Sequence, residues 1–420
     1  MKKTTRYSYT LLAGVLLVFS NTRLLADEFS HEDHDPLEIS TKLLLKDVLE
    51  HTLLRDPRNV LVEQYKDSAD AYKQLASRPY AAPLGLDLHY QTDRLISDKG
   101  LREWEANLEI PLWRRGQRQA VQAIGTNYEK YIDIHSEVLR YEIAGLIRDI
   151  LWELTIANER KNLAKQTLHK VRELEQEVFS RERAGDLAPI DKLLAHDETL
   201  AKQLEYVTQN MEYMHVAERY TALTGLTQRP AFFTEIRSTG EDSINEHPLI
   251  KEILVRIERA QHQLDQVRSS RGEPVHLTLG VRNEKGSVAD VDITSVGIGI
   301  RVPLGSQHFQ QPAMAQAKTT LAELLAEKIR IERALHIQIH NAEHELATVR
   351  QQLDVVRQRQ ATAQENLRMA RAAFRAGELD VGQLLRVASQ TAAAEMQFVI
   401  HQLEEKQAIA RINQALGRLP

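Results

Sequence analysis

The stretch Arg183-Ala184-Gly185-Asp186-Leu187 returns as Arg375-Ala376-Gly377-Glu378-Leu379, an offset of 192 residues (183 to 375). The same offset relates Pro111 to Pro303, Leu112 to Leu304, Leu193 to Leu385 and Gly225 to Gly417. One offset kept from Pro111 to Gly225 marks an internal duplication, so the chain must fold as two copies of one unit. Length alone is a looser constraint: 420 residues would admit two or three ordinary domains.

The unit can be read from its periodicities. Residues 41–77 carry a helical apolar stripe interrupted at Asp56-Pro57, and 249–270 form the matching helix. The period then changes to two. Leu84, Leu86, Leu88 and Tyr90 alternate with polar residues, as do Trp104, Ala106, Leu108 and Ile110, which predicts strands at about 84–92 and 102–111. The second half predicts strands at about 275–283 and 292–303, with Pro111 and Pro303 as their ends. A helix with 3-and-4 spacing follows in each half, out of pattern only at Lys161, Glu175 and Gln360. The first, from about 118 to 183, would be about 100 Å long. Gly185 and Gly377 close these helices, and return helices run on to Gly225 and Gly417. The segments 183–187 and 375–379 are thus hairpin tips, each carrying an acid where the next helix dipole favours one.

The expected organisation is a first repeat at 41–225, a linker at 226–248 with Pro230, Gly240 and Pro248, and a second repeat at 249–420. Residues 1–26 read as a signal peptide: Lys2, Lys3 and Arg6 precede an apolar run from Leu11 to Phe19 that is short for a membrane span. Cleavage fits after Ala26, with Ser20 as a rival; an uncleaved anchor is the other reading. The segment has four basic residues and no acid, so its removal takes the formal charge from −5 to −9, a poor balance for binding nucleic acid. Residues 27–40 form an acidic tail with His31 and His34, which reads as a solvated tail, a linker or a weak capture site for divalent cations. Cysteine is absent, which excludes disulfides, thiolate metal sites and a catalytic thiol.

No stretch of 18 apolar residues follows the leader, so any membrane crossing falls to strands. Four strands cannot close a barrel, and open edges cannot sit in lipid. Closure therefore needs several chains; two would give eight strands and three would give twelve. The polar strand face, with Asp87, Glu103, Glu105, Glu109 and Arg301, would line an aqueous lumen. A soluble two-sheet domain is the alternative.

The element order, the duplication, Ile110-Pro111-Leu112, Val302-Pro303-Leu304 and the paired Arg-Ala-Gly tips resemble the TolC-like outer-membrane efflux family over almost all of the mature chain. Overall length and the His-and-acid N-terminus look most like its heavy-metal, CzcC-like branch. The resemblance implies an α+β protein dominated by long helices: a homotrimer with a 12-stranded transmembrane β-barrel in the bacterial outer membrane, continued by an α-helical barrel in the periplasm. It implies a passive exit duct without a cofactor. A periplasmic adaptor (membrane fusion) protein joins such a duct to an inner-membrane resistance-nodulation-division pump, and the cargo in this branch is divalent heavy-metal cations. Multidrug or type I protein export is the alternative cargo, and a periplasmic coiled-coil adaptor is a more distant reading.

By position, the adaptor contacts implied are Arg183, Ala184, Gly185 and Leu187 with Arg375, Ala376, Gly377 and Leu379. Asp191 matches the acids that line the periplasmic entrance in relatives. Its counterpart is Gln383, with Arg386 nearby, a departure from an all-acidic gate. His336, His340 and His344 form a stripe at four-residue spacing, which is either a polar helix face or a set of transient metal contacts. Nucleophile elbows, zinc-protease motifs and phosphate loops are absent, and Gly297-x-Gly299 lacks the third glycine of a dinucleotide site, so no enzyme is expected.

Overall fold

The structure is a computed structural model that describes residues 37–238, 244–305 and 307–420. The expected signal segment, His31 and His34 lie outside the described residues. The first repeat contains α1 (Leu45–Arg55), α2 (Asn59–Ser77), β2 (Gly85–Thr92), β3 (Arg102–Leu112), α3 (Gln117–Arg183) and α4 (Pro189–Thr224). The second contains α5 (Pro248–Ser270), β5 (Val275–Lys285), β6 (Ile293–Arg301), α6 (Gln307–Arg375) and α7 (Val381–Ala415). No helix among the described residues is long and apolar enough to cross a membrane.

Two short strands lie outside this plan. β1 (Glu38–Ser40) pairs in parallel with β4 (Gln228–Pro230). The reading of 38–40 as part of a tail is corrected there: its backbone groups pair with those of 228–230 in the linker, which alternation over three residues cannot announce. Pro111 is a second correction. β3 continues through it to Leu112, and Pro111 sits opposite His276. The reach of β2 ends at Glu109, so Pro111 has a strand neighbour on one side only and its missing N–H breaks no ladder there.

The four main strands form one antiparallel sheet in the order β2-β3-β5-β6. Register puts Leu88, Ala106, Val281 and Val296 in one row and Leu86, Leu108, Leu279 and Ile298 in the next. The apolar side chains of all four strands therefore share one face. No described element covers it: Leu88 is 71% exposed, Val296 79% and Ile298 77%. In β3 the polar face is the more sheltered, with Glu103, Glu105, Asn107 and Glu109 partly buried. That is the inverse of a soluble half-buried sheet.

The helices bury the expected 3-and-4 seam. Ile143, Ile147, Leu151 and Leu154 of α3 pack with Val48 and Leu53 of α1 and with Val216 and Tyr220 of α4. In the second half, Ala342 and Leu346 of α6 meet Ala408 and Ile412 of α7. Two residues out of the heptad pattern have specific partners on α4 instead. Lys161 lies 3.6 Å over the Tyr213 ring, and Glu175 meets His196 at 2.7 Å.

Candidate functional site

Both hairpin tips are built the same way. At the first, Gly185 has φ +84°, its N–H donates to Glu182 O at 3.0 Å, and the Asp186 N–H donates to Arg181 O at 2.9 Å. At the second, Gly377 has φ +79°, its N–H donates to Phe374 O at 3.1 Å, and the Glu378 N–H donates to Ala373 O at 2.9 Å. A Cβ on either glycine would meet nothing within 4 Å, so backbone conformation alone demands glycine. The paired carbonyl acceptors are the closure expected of a helix that ends in a left-handed residue.

Beneath the tips, Val178, Ala195, Phe374, Val381, Leu384 and Leu385 form a small buried core, with Leu187 and Leu379 packed against it. Leu187 and Leu379 are therefore half-buried anchors of the tips, whereas Arg183, Ala184, Gly185, Arg375, Ala376 and Gly377 are exposed. Neither Arg183 nor Arg375 takes part in the hydrogen bonds that close the tips. Arg181, which sequence reasoning passed over, does hold the tip together. Its guanidinium lies 4.6 Å over the Phe374 ring and donates to Phe374 O at 3.1 Å.

The expected entrance residues sit at the starts of the return helices. Asp191 is partly buried, and its Oδ2 accepts the Ala188 N–H at 3.1 Å, capping α4 from its third position. In the second half the cap acid has moved to Asp380, which accepts the Gln383 N–H at 2.7 Å. Gln383 and Arg386 are exposed. One acid thus caps each return helix, but from different positions.

On the polar strand face, Arg282 bridges Glu103 at 2.6 Å and Glu284 at 2.8 Å. Arg301 lies 3.5 Å from Glu109, and Glu105 accepts from Asn107 at 2.8 Å. Asp87 is exposed on the edge strand of the same face. The structure brings Glu103, Glu105, Glu109 and Arg301 onto one surface, with acids in the majority.

His336, His340 and His344 are exposed on α6, and the rings of His340 and His344 lie 6.4 Å apart. No group of three or more His, Cys, Asp or Glu among the described residues could hold a metal ion. At the offset of 192 the three histidines correspond to Ala144, Arg148 and Trp152, all buried on α3. The segment 231–238 seals that α3 face. Arg148, 3% exposed, makes a two-pronged pair with Glu235 at 2.7 and 2.8 Å, and Trp152 packs edge-on against Phe233. Asn413 of α7 donates to Glu235 at 3.0 Å and accepts the Ser238 N–H at 3.0 Å. Pairing Arg148 with Glu235 could not be read from sequence, because 87 residues separate them without shared periodicity.

The return helices differ most. On α4, Ile190, Leu193, Leu200, Leu204 and Val207 recur at 3-, 4- and 7-residue spacing and stay exposed; Leu193 is 63% exposed and Leu204 69%. Leu385, the counterpart of Leu193, is 8% exposed.

No protein-family model matches the chain. In sequence it is 22% identical over 344 residues to the cobalt-zinc-cadmium resistance protein CzcC of Cupriavidus metallidurans, over 77% of this chain and 80% of that protein. In fold it matches the outer membrane protein VceC of Vibrio cholerae with a TM-score of 0.72 at 14% identity, over 89% of this chain and 96% of VceC. It matches CusC, a protein described by its transmembrane channel formation, with a TM-score of 0.72 at 13% identity, over 91% and 94% of the two chains. The chain therefore has the TolC-like outer-membrane channel fold, and its sequence likeness falls on the CzcC-like side of that group.

Proposed function

We propose that the protein is the passive exit duct of a tripartite efflux system, set in the bacterial outer membrane and reaching into the periplasm. The observation that carries this is the sheet: four strands with two open edges, an uncovered apolar face and a sheltered acidic one. Three copies bring twelve strands together, with apolar side chains toward lipid and Asp87, Glu103, Glu105 and Glu109 toward water. The exposed stripe of α4 is the helical counterpart of the open edges and meets the next copy. A duct needs no catalytic residue and no cofactor; an inner-membrane resistance-nodulation-division pump supplies the energy. The exposed, unengaged Arg183 and Arg375 suit contact with a periplasmic adaptor, which docks at the tips. Asp191 faces the entrance from its cap position.

The cargo in this reading is divalent heavy-metal cations, on the likeness to a cobalt-zinc-cadmium resistance protein. The acidic lumen face agrees with cation passage, and a duct without tight sites conducts better than one that holds its ion. The histidines of α6 then act as weak, transient contacts. Deletion of the gene, followed by growth on graded zinc, cobalt and cadmium beside a drug panel, tests the cargo. Sensitivity to metals alone is the expected result; sensitivity to drugs alone would reject it. A trimer band in mild detergent that shifts on boiling tests the barrel, and recovery in the soluble periplasmic fraction would sink the channel.

A further inference from the structure

The sheet passes into the helices through a cavity of about 850 Å³. Two strand residues line it, Leu112 and Val275, which face each other in register. Each lies two residues beyond a member of the apolar face, Ile110 and Leu277. Strand alternation therefore puts the cavity on the uncovered apolar side of the sheet, at the helical end of its belt. The remaining walls come from the turn 113–116, the start of α3, the end of α5 and Arg271 just beyond it.

Those walls are basic. Arg114, Arg115, Arg268 and Arg271 line the cavity against one carboxylate, Asp265. The left-handed turn at Gly116, φ +82°, swings the first two arginines round between β3 and α3. Arg115 is exposed and has no acidic partner among the described residues. Arg114 donates to Glu273 O at 2.8 Å through one terminal nitrogen, while its buried Nε has no partner. Arg268 meets Asp265 at 3.3 Å, but both side chains are more than half exposed, so water screens that pair heavily. The first turn of α3 adds no acid. Trp113, whose indole N–H donates to Arg78 O at 2.9 Å, lines the same cavity. An indole beside guanidinium groups at the end of an apolar belt is the composition of a membrane–water boundary.

We propose that this cavity binds the phosphate headgroup of an anionic glycerophospholipid, whose acyl chains continue along Leu112, Val275 and the apolar sheet face. Guanidinium groups supply paired donors to phosphate oxygens. The apolar side of the cavity favours a phosphate that arrives with hydrocarbon attached over a free ion. The site rests on the reading of the sheet as a membrane barrel. It would fix the depth of the duct in the bilayer and make assembly depend on anionic lipid in the leaflet that faces the periplasm.

The test uses the full chain purified in mild detergent, with lipid occupancy counted by native mass spectrometry. Phosphatidylglycerol is expected to bind saturably at one lipid per chain, and phosphatidylcholine at least tenfold more weakly. The double variant Arg115→Gln/Arg268→Gln, at exposed positions, should weaken phosphatidylglycerol by about fivefold for each arginine removed. Asp265→Asn should tighten it, a gain that misfolding could not mimic. Equal binding of the two lipids, or unchanged binding in the double variant, overturns the site. Full displacement by inorganic phosphate would make it a free-phosphate site and overturns the lipid assignment. Insertion of the same preparation into vesicles of phosphatidylcholine mixed with phosphatidylglycerol, and into vesicles of phosphatidylcholine alone, is scored separately, the mixed vesicles deciding whether it inserts at all. Failure to insert rejects the membrane reading itself, whereas insertion without lipid preference rejects only the cavity.

Discussion

The two halves of the chain obey one register yet close differently. Arg219–Glu153 between α4 and α3 recurs as Arg411–Glu345 between α7 and α6, the same ion pair at the same offset. Around that shared frame, α7 exposes no large apolar side chain, whereas α4 leaves the stripe from Ile190 to Val207 open. Leu385 lies in the tip core, and its equivalent Leu193 faces outward. Arg148 and Trp152 lie under the segment 231–238, and their equivalents His340 and His344 lie open. A unit that cannot bury its own face needs a neighbour, as repeat units do. The first half gives α3 its neighbour within the chain. In the proposed trimer, what the second half leaves open, along with the stripe of α4, is the seam for another copy.

The largest effect should come from poisoning that seam. Leu200→Glu with Leu204→Glu places two charges in the α4 stripe, where the protomer itself buries little. We expect loss of the oligomer, read by native mass spectrometry, with helix content unchanged. Ala394→Glu on α7, at a residue 1% exposed, should instead lower the thermal stability of the protomer. If both variants behave alike, the contrast between α4 and α7 has no bearing on assembly.

The next effect separates the sealed face from the open one. Arg148→Ala leaves Glu235 facing a buried site without its partner, a loss on the order of 3–5 kcal/mol. Replacing His336, His340 and His344 by alanine should change protomer stability by no more than about 0.5 kcal/mol each, as at ordinary surface positions. Chemical denaturation of both variants would decide this. A large loss from the histidine set would mean that the stripe is not open in the protomer.

How far the sequence could lead follows from what each feature depends on. Strands, long helices and tips are set by local periodicity and by glycines, so 102–111 and 118–183 are legible as β3 and most of α3. The pairing of Arg148 with Glu235 and the packing of Arg181 on Phe374 join residues 87 and 193 positions apart, and no local pattern encodes either. The unequal exposure of α4 and α7 is likewise invisible in heptads, since both helices carry apolar residues at suitable spacing. Among the candidate site residues, the tip arginines are exposed and take no part in the bonds that close the tips. Asp191 acquired a structural role, since its carboxylate accepts a backbone N–H.

Acid should weaken the junction where the second half begins. His247 is 2% exposed, and burial pushes its pKa down from 6.5 to about 4. Its Nδ1 accepts the Leu249 N–H at 3.2 Å, which the neutral ring can do and the protonated ring cannot. Between those two pH values the unfolded chain binds the proton and the folded chain does not, so stability falls as pH drops from about 6.5 toward 4. The full loss is on the order of 3 kcal/mol. His247→Asn keeps a capping acceptor without titrating. Its unfolding free energy should therefore be flatter over that window, and equal slopes for the two proteins would remove His247 as the cause.

The smallest effect probes the two return-helix caps and can separate structure from passage. Asp380→Ala removes an N-cap acceptor and should cost about 1 kcal/mol of local stability, seen as faster amide exchange at the second tip. Asp191→Asn is the sharper change. The amide oxygen can still accept the Ala188 N–H, so the α4 cap survives while the charge is lost. If Asp191 only caps, exchange at the first tip and single-channel cation conductance should both match the parent. If it also lines the entrance, cation conductance should fall with exchange unchanged. Because Gln383 holds the equivalent place in the second half, Gln383→Asp should then raise conductance by adding the acid that this half lacks. A fall in conductance from Asp191→Asn accompanied by faster exchange would place the cause in the fold of the tip, and the entrance role would lose its support.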